Sequence, residues 1–403
     1  MSESVTLIMK ATRLCNLRCD YCYDWRAEKN QIMSFEVLAH TIARVLRHQE
    51  HRVVEFVWHG GEPTLLGMEF FERAMLLQAR FRRTGQIVRN TIQTNATRVD
   101  GEWADFLARH DFEVGVSIDG PEAIHDRTRL YANGKPSWSD VRTGLRTLVD
   151  RGVNVGVLMV VDRPVLDLGP RRVVDFFIAE DIKAYGLLAA KPASQVERTP
   201  GEATPHYVTP REMSEFLIGV DECLAAHGDP DIQVRELEAL RTKIRGSGRR
   251  HCTLSGFCVG KYFVVEPDGE VAHCDLFVGD PDYTLGNVLE DTFSDFRASS
   301  NATNLRRRNE REVAAMSSCS GFDICAGWCP HERYSAVRHD PEYDPSCCGQ
   351  KTLIEHLIAR EQAAPSVTRT SVQIAERRPG SIPTRDRFED LSGSSNINEE
   401  TRT

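Results

Sequence analysis

The stretch Cys15-Asn16-Leu17-Arg18-Cys19-Asp20-Tyr21-Cys22 carries three thiols, separated first by three residues and then by two. Thiolates are soft ligands that select iron–sulfur or zinc centres. A [4Fe–4S] cluster typically takes four cysteines, so either a distant cysteine completes the set or one iron stays open. A closed zinc site usually combines two C-x-x-C pairs, which this spacing does not offer. Three buried structural cysteines are a third interpretation, which so short and polar a turn disfavours.

Composition indicates an ordinary globular protein. The 403 residues suffice for about two domains, and the net charge of −9 argues against a nucleic-acid partner. No apolar run reaches the ~18 residues of a membrane helix, and Met1–Ser4 lacks the features of a signal peptide. We therefore expect a cytoplasmic protein with no membrane partner. Its 12 cysteines are then expected to bind metal rather than form disulfides, because the cytosol keeps thiols reduced.

Short apolar runs alternate with amphipathic stretches from Val5 to about residue 235, which predicts a parallel sheet with right-handed crossovers. The fold class is α/β: a partial (β/α)6 TIM-like barrel over residues 1–235, a linker over 236–250, a small cysteine-rich α+β domain over 251–360 and a disordered tail over 361–403. The predicted strands are Val5–Met9, Val53–Trp58, Ile87–Gln93, Glu113–Ile118, Asn154–Val161 and Ile182–Leu188, and Ser34 is the predicted N-cap of the first helix.

Active-site residues of such barrels lie in the loops that follow the strands. The cysteine stretch follows the first strand, and later loops add further candidates. The candidates after the later strands are Gly60, Gly61, Glu62, Pro63, Asn95, Ser117, Arg127 and Leu187. Plainer interpretations are a tight turn for Gly60–Pro63, a surface salt bridge for Arg127 and core packing for Leu187.

A second group of cysteines lies in the C-terminal part of the chain. Pro267-Asp268-Gly269 is typical of a β-hairpin turn, and this hairpin would bring Cys258 and Cys274 near each other. The group consists of Cys252, Cys258, Cys274, Cys319, Cys325, Cys329, Cys347 and Cys348.

The C-x3-C-x2-C spacing with an aromatic residue before the last cysteine resembles the radical SAM superfamily, and Gly60–Pro63 resembles its GGEP motif. The resemblance implies that the open iron binds the amino and carboxylate groups of S-adenosylmethionine (SAM), whose one-electron cleavage releases a 5′-deoxyadenosyl radical. The family roles that it implies are an adenine contact for Tyr21, the methionine amino group for the GGEP motif, ribose for Asn95 and Ser117, and the methionine carboxylate for Arg127. Leu187, at the end of the sixth predicted strand, is a further candidate for packing on the adenine.

The later cysteines resemble a SPASM domain, which carries auxiliary [4Fe–4S] clusters. The resemblance implies that Cys252, Cys258, Cys274 and Cys329 hold a first auxiliary cluster, and that Cys319, Cys325 and either Cys347 or Cys348 hold a second. The usual C-x2-C-x5-C-x3-C block lacks its first cysteine here, where Met316 stands. The second cluster would then use both adjacent cysteines, take an unusual ligand or keep an open iron, and adjacent cysteines fit two separate irons better than one. Zinc is the structural alternative for this domain.

The combined motifs resemble anaerobic sulfatase-maturing enzymes and ribosomal-peptide maturases. Asp275 stands where sulfatase-maturing enzymes carry a candidate base, and burial would raise the pKa of such a carboxyl; a hydrogen-bonded turn residue is the plainer interpretation. We expect oxidation or cross-linking of a peptide or protein side chain, with electrons from a donor such as flavodoxin or ferredoxin. Met316 favours peptide maturation over formylglycine formation in sulfatases. A small-molecule substrate and a non-catalytic iron–sulfur scaffold also stay open at the level of sequence.

Overall fold

Strand–helix alternation builds one continuous sheet in the computed structural model, which describes residues 4–22, 32–191, 205–246, 252–256 and 258–363. The strands are β1 (Ser4–Lys10), β2 (Val53–His59), β3 (Ile87–Thr94), β4 (Glu113–Ser117), β5 (Asn154–Val161), β6 (Ala184–Ala189), β7 (Gln233–Val234), β8 (Tyr262–Val265), β9 (Glu270–Ala272) and β10 (Thr284–Asn287). All six predicted strands are confirmed, with bounds that differ by at most two residues.

The helices among the described residues cover the sheet and the C-terminal region. They are α1 (Phe35–Arg47), α2 (Met68–Phe81), α3 (Gly101–Arg109), α4 (Glu122–Thr128), α5 (Trp138–Asp150), α6 (Arg163–Leu168), α7 (Pro170–Ala179), α8 (Pro210–His227), α9 (Arg235–Ile244), α10 (Phe293–Ala298), α11 (Ser300–Ala315), α12 (Phe322–Cys325), α13 (Pro330–His339) and α14 (Lys351–Ala363). Ser34 caps α1 as predicted, because its hydroxyl accepts a hydrogen bond from the Val37 amide at 3.2 Å.

The sheet order is β10-β9-β8-β1-β2-β3-β4-β5-β6-β7. Strands β1 to β7 pair in parallel and the sheet does not close, as a partial barrel requires. The C-terminal hairpin β8–β9 is antiparallel, but β8 pairs in parallel with β1 through Thr6–Tyr262. The predicted barrel and the predicted cysteine-rich region therefore share one sheet.

Successive side chains of β1 face alternately the hydrophobic core and the opposite face of the sheet, where a cavity lies. Val5, Leu7 and Met9 are fully buried in the core, whereas Ile8 lines the cavity at the carboxyl ends of the strands. The same pattern recurs in β2, where Phe56 is fully buried.

Residues up to Ala359 form one compact unit. The predicted linker over 236–250 needs correction, because α9 occupies most of it and buries Leu237 and Leu240. Most of the predicted tail lies outside the described residues. No helix among the described residues combines the length and the apolar character that crossing a membrane requires.

Candidate active site

A cavity of about 480 Å³ lies at the carboxyl ends of the parallel strands. Its lining includes the three cysteines of the first group, Cys15, Cys19 and Cys22, and three of the eight in the second group, Cys252, Cys274 and Cys329. Cysteines separated by more than 200 residues in sequence thus face one chamber. The cavity is the candidate active site.

The loop after β1 is held in place by the segment that follows α4. The Arg18 amide donates to the Leu130 carbonyl at 2.7 Å, and the Asp20 amide donates to the Thr128 carbonyl at 3.1 Å. Within the loop, the Cys22 amide donates to the Cys19 carbonyl at 3.0 Å. These backbone bonds turn the three predicted cluster thiols toward the cavity.

The thiols of this loop are buried or partly buried, and binding to positively charged iron would favour their ionised form. Desolvation by burial raises the pKa of the Cys15 thiol to about 12 and that of Cys19 to about 11. Both are free cysteines, so metal coordination is the chemistry that would ionise them. Near the sulfurs, Asn95 Nδ2 lies 3.9 Å from Cys15 Sγ and Arg129 Nη1 lies 3.8 Å from Cys19 Sγ.

Two glycines let the loop after β2 pass against the cysteine loop. Gly60 and Gly61 have φ of +86° and +52°, and a Cβ on Gly61 would lie 2.2 Å from the Leu14 carbonyl oxygen. The next residue, Glu62, donates its amide to the same carbonyl at 2.7 Å. Gly61 is therefore required by close approach to the residue that precedes Cys15, and Gly60 by close approach to Lys10.

Glu62 is buried and ties this loop to the end of β3. Its carboxylate accepts from the Thr64 amide and hydroxyl, the Thr94 hydroxyl and the Asn95 amide, at 2.7 to 3.0 Å. Burial raises the pKa of Glu62. Glu62 lines the cavity, while Pro63 begins a short 3-10 helix and is absent from the described lining.

Two arginines near α4 have different surroundings. Arg127 is exposed on α4 and is not among the described lining residues, so the geometry does not support its predicted carboxylate contact. Arg129, just beyond the end of α4, is buried, lines the cavity and pairs with Asp119 at 2.7 Å. Asp119 also accepts from the Tyr21 hydroxyl at 2.5 Å.

The remaining barrel candidates lie together along the cavity wall. Asn95 donates to the Asn16 side chain at 2.9 Å, and Ser117 accepts from Gln93 at 2.8 Å. Leu187 is buried, and its amide donates to the Glu236 carboxylate at 2.8 Å. The structure thus brings together the candidates Tyr21, Gly60, Gly61, Glu62, Asn95, Ser117 and Leu187, without Pro63 and Arg127.

The first auxiliary group is assembled around the β8–β9 hairpin. The Cys258 thiol is close enough to the Cys252 and Cys329 thiols for each to raise its pKa, although burial is the larger cause and brings the value to about 12. Cys274 is likewise raised by burial, and then by Cys329 and Cys258. The four thiols therefore lie within electrostatic reach of one another, as a shared cluster requires.

The cysteines predicted for a second auxiliary cluster are Cys319 after α11, Cys325 in α12, and Cys347 and Cys348 before α14. Cys325 and Cys348 are buried, whereas Cys319 and Cys347 are partly buried. Among the described residues, no three His, Cys, Asp or Glu side chains converge on a position for a single ion.

Asp275 lines the cavity directly after Cys274. Its carboxylate forms an ion pair with the fully buried Lys10 at 2.5 Å, and Lys10 Nζ also lies 3.1 Å from His59 Nδ1.

Several lining residues were not predicted from the sequence. Lys191 and Glu332 form an ion pair at 2.8 Å, and Trp328 Nε1 donates to the same glutamate at 2.5 Å. The only sequence signal for Trp328 and Glu332 is that they flank Cys329. Lys10 carries a clearer signal, since it is a charged residue at the end of an apolar strand.

Comparisons with known proteins address the family to which the chain belongs. The Radical SAM superfamily model matches residues 9–172, and the model of SPASM, an iron–sulfur cluster-binding domain, matches residues 252–321. A cysteine-type anaerobic sulfatase-maturating enzyme of Clostridium novyi is 29% identical over 89% of this chain and 96% of that relative. A serine-type enzyme of Bacteroides thetaiotaomicron is 28% identical over 85% of this chain and 87% of that relative.

Solved structures give the same result. Native anSMEcpe with bound AdoMet superposes with a TM-score of 0.77 and 27% identity, over 88% of this chain and 98% of that one. Streptococcus suis SuiB bound to S-adenosylmethionine shares the fold, with a TM-score of 0.58, 14% identity and 85% and 75% of the two chains covered. The family predicted from the motifs is confirmed: the chain is a radical SAM enzyme with a SPASM domain, and its cofactors are S-adenosylmethionine and iron–sulfur clusters.

Proposed function

We propose that this enzyme oxidises a cysteine or serine side chain of a peptide segment that enters the cavity. The observation that carries the proposal is one cavity whose lining includes Cys15, Cys19 and Cys22 of the barrel, Cys274 and Cys329 of the C-terminal region, and Asp275. Such a chamber joins a site of radical generation to a site that accepts an electron.

The barrel residues hold the cofactors. When bound, the cluster supplies the electron that cleaves SAM, and the released 5′-deoxyadenosyl radical removes a hydrogen atom from the substrate. Cys15, Cys19 and Cys22 are its proposed ligands. Arg129, rather than Arg127, is the cation available to a methionine carboxylate, because it is buried at the cavity wall.

We assign the adenosyl part of SAM to the stretch of the cavity wall that includes Asn95, Ser117 and Leu187. Asn95 and Ser117 offer polar groups to the ribose, and Leu187 offers apolar surface to the adenine. Tyr21 is proposed to lie beside the adenine as well. These roles come from the motif resemblance and agree with the common lining.

Asp275 is the proposed base. Oxidation of a Ser side chain to the aldehyde removes one hydrogen atom, one proton and one electron. The same loss converts a Cys side chain to a thioaldehyde, which water hydrolyses to the aldehyde with release of hydrogen sulfide. Asp275 would take the proton, and a cluster held by Cys252, Cys258, Cys274 and Cys329 would supply an acceptor for the electron. Asp275 suits its part because it adjoins Cys274 and lines the cavity that the substrate would enter.

Relatives support the substrate class. Cysteine-type and serine-type anaerobic sulfatase-maturating enzymes match nearly the full chain, and anSMEcpe has been solved with AdoMet and the Cp18Cys peptide. We therefore place Cys or Ser oxidation ahead of the peptide cross-linking that Met316 favours at the level of sequence. A flavodoxin or ferredoxin is the proposed electron donor, and the cytoplasm the proposed location.

The test uses anaerobically reconstituted protein with dithionite and SAM. Synthetic peptides that span sulfatase maturation sites with a Cys or a Ser are compared with matched Ala peptides. We expect 5′-deoxyadenosine to form, and the Cys or Ser peptide, but not the Ala peptide, to gain an aldehyde that reacts with a hydrazine probe. Formation of 5′-deoxyadenosine without aldehyde on either peptide would contradict the substrate assignment.

A non-catalytic scaffold is tested by removing the barrel cluster alone. The triple variant Cys15→Ala, Cys19→Ala and Cys22→Ala should lose SAM cleavage and keep its auxiliary iron. SAM cleavage that persists in this variant would contradict the ligand assignment. Absence of 5′-deoxyadenosine in the iron-loaded wild type would favour the scaffold.

A further inference from the structure

A buried histidine lies against the sulfur of one cysteine of the first auxiliary group. His273 is 3% exposed, and its Nε2 lies 3.6 Å from Cys258 Sγ, within the range of a hydrogen bond to sulfur. Among the described residues, no hydrogen-bond partner reaches the other ring nitrogen, Nδ1. Buried polar groups normally have partners, so core packing alone does not explain a histidine at this position. The polar contact that the ring does make is directed at the predicted cluster site.

The β8–β9 hairpin holds the two side chains together. Cys258 precedes β8, and its carbonyl accepts from the Lys261 and Tyr262 amides at 3.0 and 3.3 Å. His273 directly follows β9, and its amide donates to the Tyr283 carbonyl at 3.0 Å. Because β8 and β9 pair antiparallel, residues before β8 lie beside residues after β9. Backbone hydrogen bonds therefore fix the place of both side chains.

The histidine is separate from the site at which a substrate would bind. Cys252, Cys274 and Cys329 line the active-site cavity, whereas Cys258 and His273 are not among its described lining residues. The imidazole is therefore placed to act on the ligand group rather than on a molecule held in that cavity.

The chemistry of an iron-bound cysteine decides which ring nitrogen carries the proton. The sulfur is then a thiolate, which only accepts hydrogen bonds, so the nitrogen that faces it must be N–H. We propose that the Nε2–H of His273 donates to the Cys258 sulfur, and that this positioning residue raises the reduction potential of the first auxiliary cluster. Hydrogen bonds to ligand sulfurs are among the factors that set such potentials. A donor at the sulfur stabilises the reduced state, because that state carries more negative charge.

The inference deepens the proposed function and rests on it for its purpose. There, the cluster of Cys252, Cys258, Cys274 and Cys329 accepts the electron that leaves the substrate. A higher reduction potential makes that cluster a better acceptor. The potential itself depends only on the assignment of Cys258 as a ligand and can be measured without a substrate.

The experiment is a redox titration of the auxiliary clusters, monitored by EPR in the absence of peptide. The triple variant Cys15→Ala, Cys19→Ala and Cys22→Ala serves as the background, because it removes the signal of the barrel cluster. In this background, His273→Leu should shift the midpoint potential of one auxiliary signal to a more negative value. His273→Gln, whose side-chain amide offers an N–H at a similar distance from the backbone, should restore most of the shift.

Two further variants identify the signal and its cause. Cys258→Ala should remove the signal that His273→Leu shifts, which assigns that signal to the cluster bound by Cys258. His331 is the matched control, since it is 1% exposed, lies two residues after Cys329, and has no hydrogen-bond partner among the described residues at either ring nitrogen. His331→Leu should leave the midpoint potential unchanged.

Pulsed EPR of protein with native His273 covers the case in which His273→Leu loses iron. Isotope-labelled histidine should give a weak nitrogen coupling to the reduced first auxiliary cluster, and solvent exchange should reveal an exchangeable proton beside it. Absence of the nitrogen coupling would overturn the proposal.

The titration has its own contrary results. Equal midpoints in His273→Leu and its background would overturn the proposal, as would equal shifts in His273→Leu and His331→Leu. Loss of iron in both His273→Leu and His273→Gln, or an unchanged spectrum in Cys258→Ala, would overturn it as well. None of these readouts uses a peptide, so their failure leaves the proposed function standing, and a failed peptide assay leaves them intact.

Discussion

Replacing Gly61 by alanine should uncouple the cysteine loop from the barrel. Both Gly61 (φ +52°) and the control Gly134 (φ +79°) have left-handed backbone, so alanine costs either site about 1–2 kcal/mol. At Gly134 the new Cβ would meet no atom within 4 Å, whereas at Gly61 it would lie 2.2 Å from the Leu14 carbonyl oxygen. Only the Gly61 variant therefore has a steric conflict.

The size of the effect follows from this contact. Ordinary contact begins at 3.4 Å, so Leu14 must move by about 1 Å, and a displacement of that size in a reacting geometry costs about 100-fold in rate. Leu14 directly precedes Cys15, so the movement passes to the first proposed cluster ligand. We expect Gly61→Ala to lose most SAM cleavage or its barrel iron, while Gly134→Ala keeps both.

The assay is the rate of 5′-deoxyadenosine formation with dithionite and SAM, read beside iron content and the urea midpoint of each variant. The midpoints report the shared backbone cost and should fall in both variants. Equal rates of SAM cleavage and equal iron in Gly61→Ala and Gly134→Ala would refute the idea that the contact with Leu14 positions the cluster loop.

Three further predictions concern single side chains. Asp275→Asn should lower peptide oxidation by about 10²–10⁴-fold and leave SAM cleavage in place, and oxidation at the wild-type rate would make Asp275 structural. Arg129→Leu leaves the buried Asp119 carboxylate without its cation and should lower the free energy of unfolding, measured in urea, by about 3–5 kcal/mol. Arg127→Leu, at an exposed position, should change the free energy of unfolding by less than about 0.5 kcal/mol. A larger loss in the Arg127 variant would reverse the assignment of the buried role to Arg129. Burial lowers the pKa of His125 from 6.5 to about 4, so the unfolded chain binds the proton first and stability falls as pH drops from 6.5 towards 4, by about 2 kcal/mol at about pH 5. Urea midpoints measured at about pH 6.5 and about pH 5 should show this loss of stability in the wild type and a smaller loss in His125→Gln. Equal losses in the two proteins would count against His125 as the group responsible.

Local patterns predicted most of the barrel. Strands such as β1 and β2 alternate between core and cavity, and this period of two can be read from sequence. Motif spacing likewise located the three cluster thiols and the loop after β2. Glu62 was placed in the correct loop, but its four hydrogen-bond donors come from Thr64 and from Thr94 and Asn95 at the end of β3, which spacing does not reveal.

The features that the sequence did not predict depend on where helices end, on which distant strands pair and on side-chain direction. Arg127 and Arg129 are two residues apart, and which of them faces the cavity depends on the end of α4 at Thr128. The parallel pairing of β8 with β1 joins residues more than 250 apart in sequence, so no local pattern predicts it. Sequence does not distinguish the roles of Cys347 and Cys348, because these depend on side-chain direction.

The pairing of β1 with β8 also bears on how the chain is synthesised. The first strand leaves the ribosome early, but one of its two edges is covered only when Tyr262–Val265 has emerged. Until then β1 presents open backbone groups, which invite pairing with other chains. Contacts this distant in sequence form slowly. We therefore expect truncation before β8 to yield an aggregating product, and pairing of β1 with β8 to be a late step in formation of the sheet.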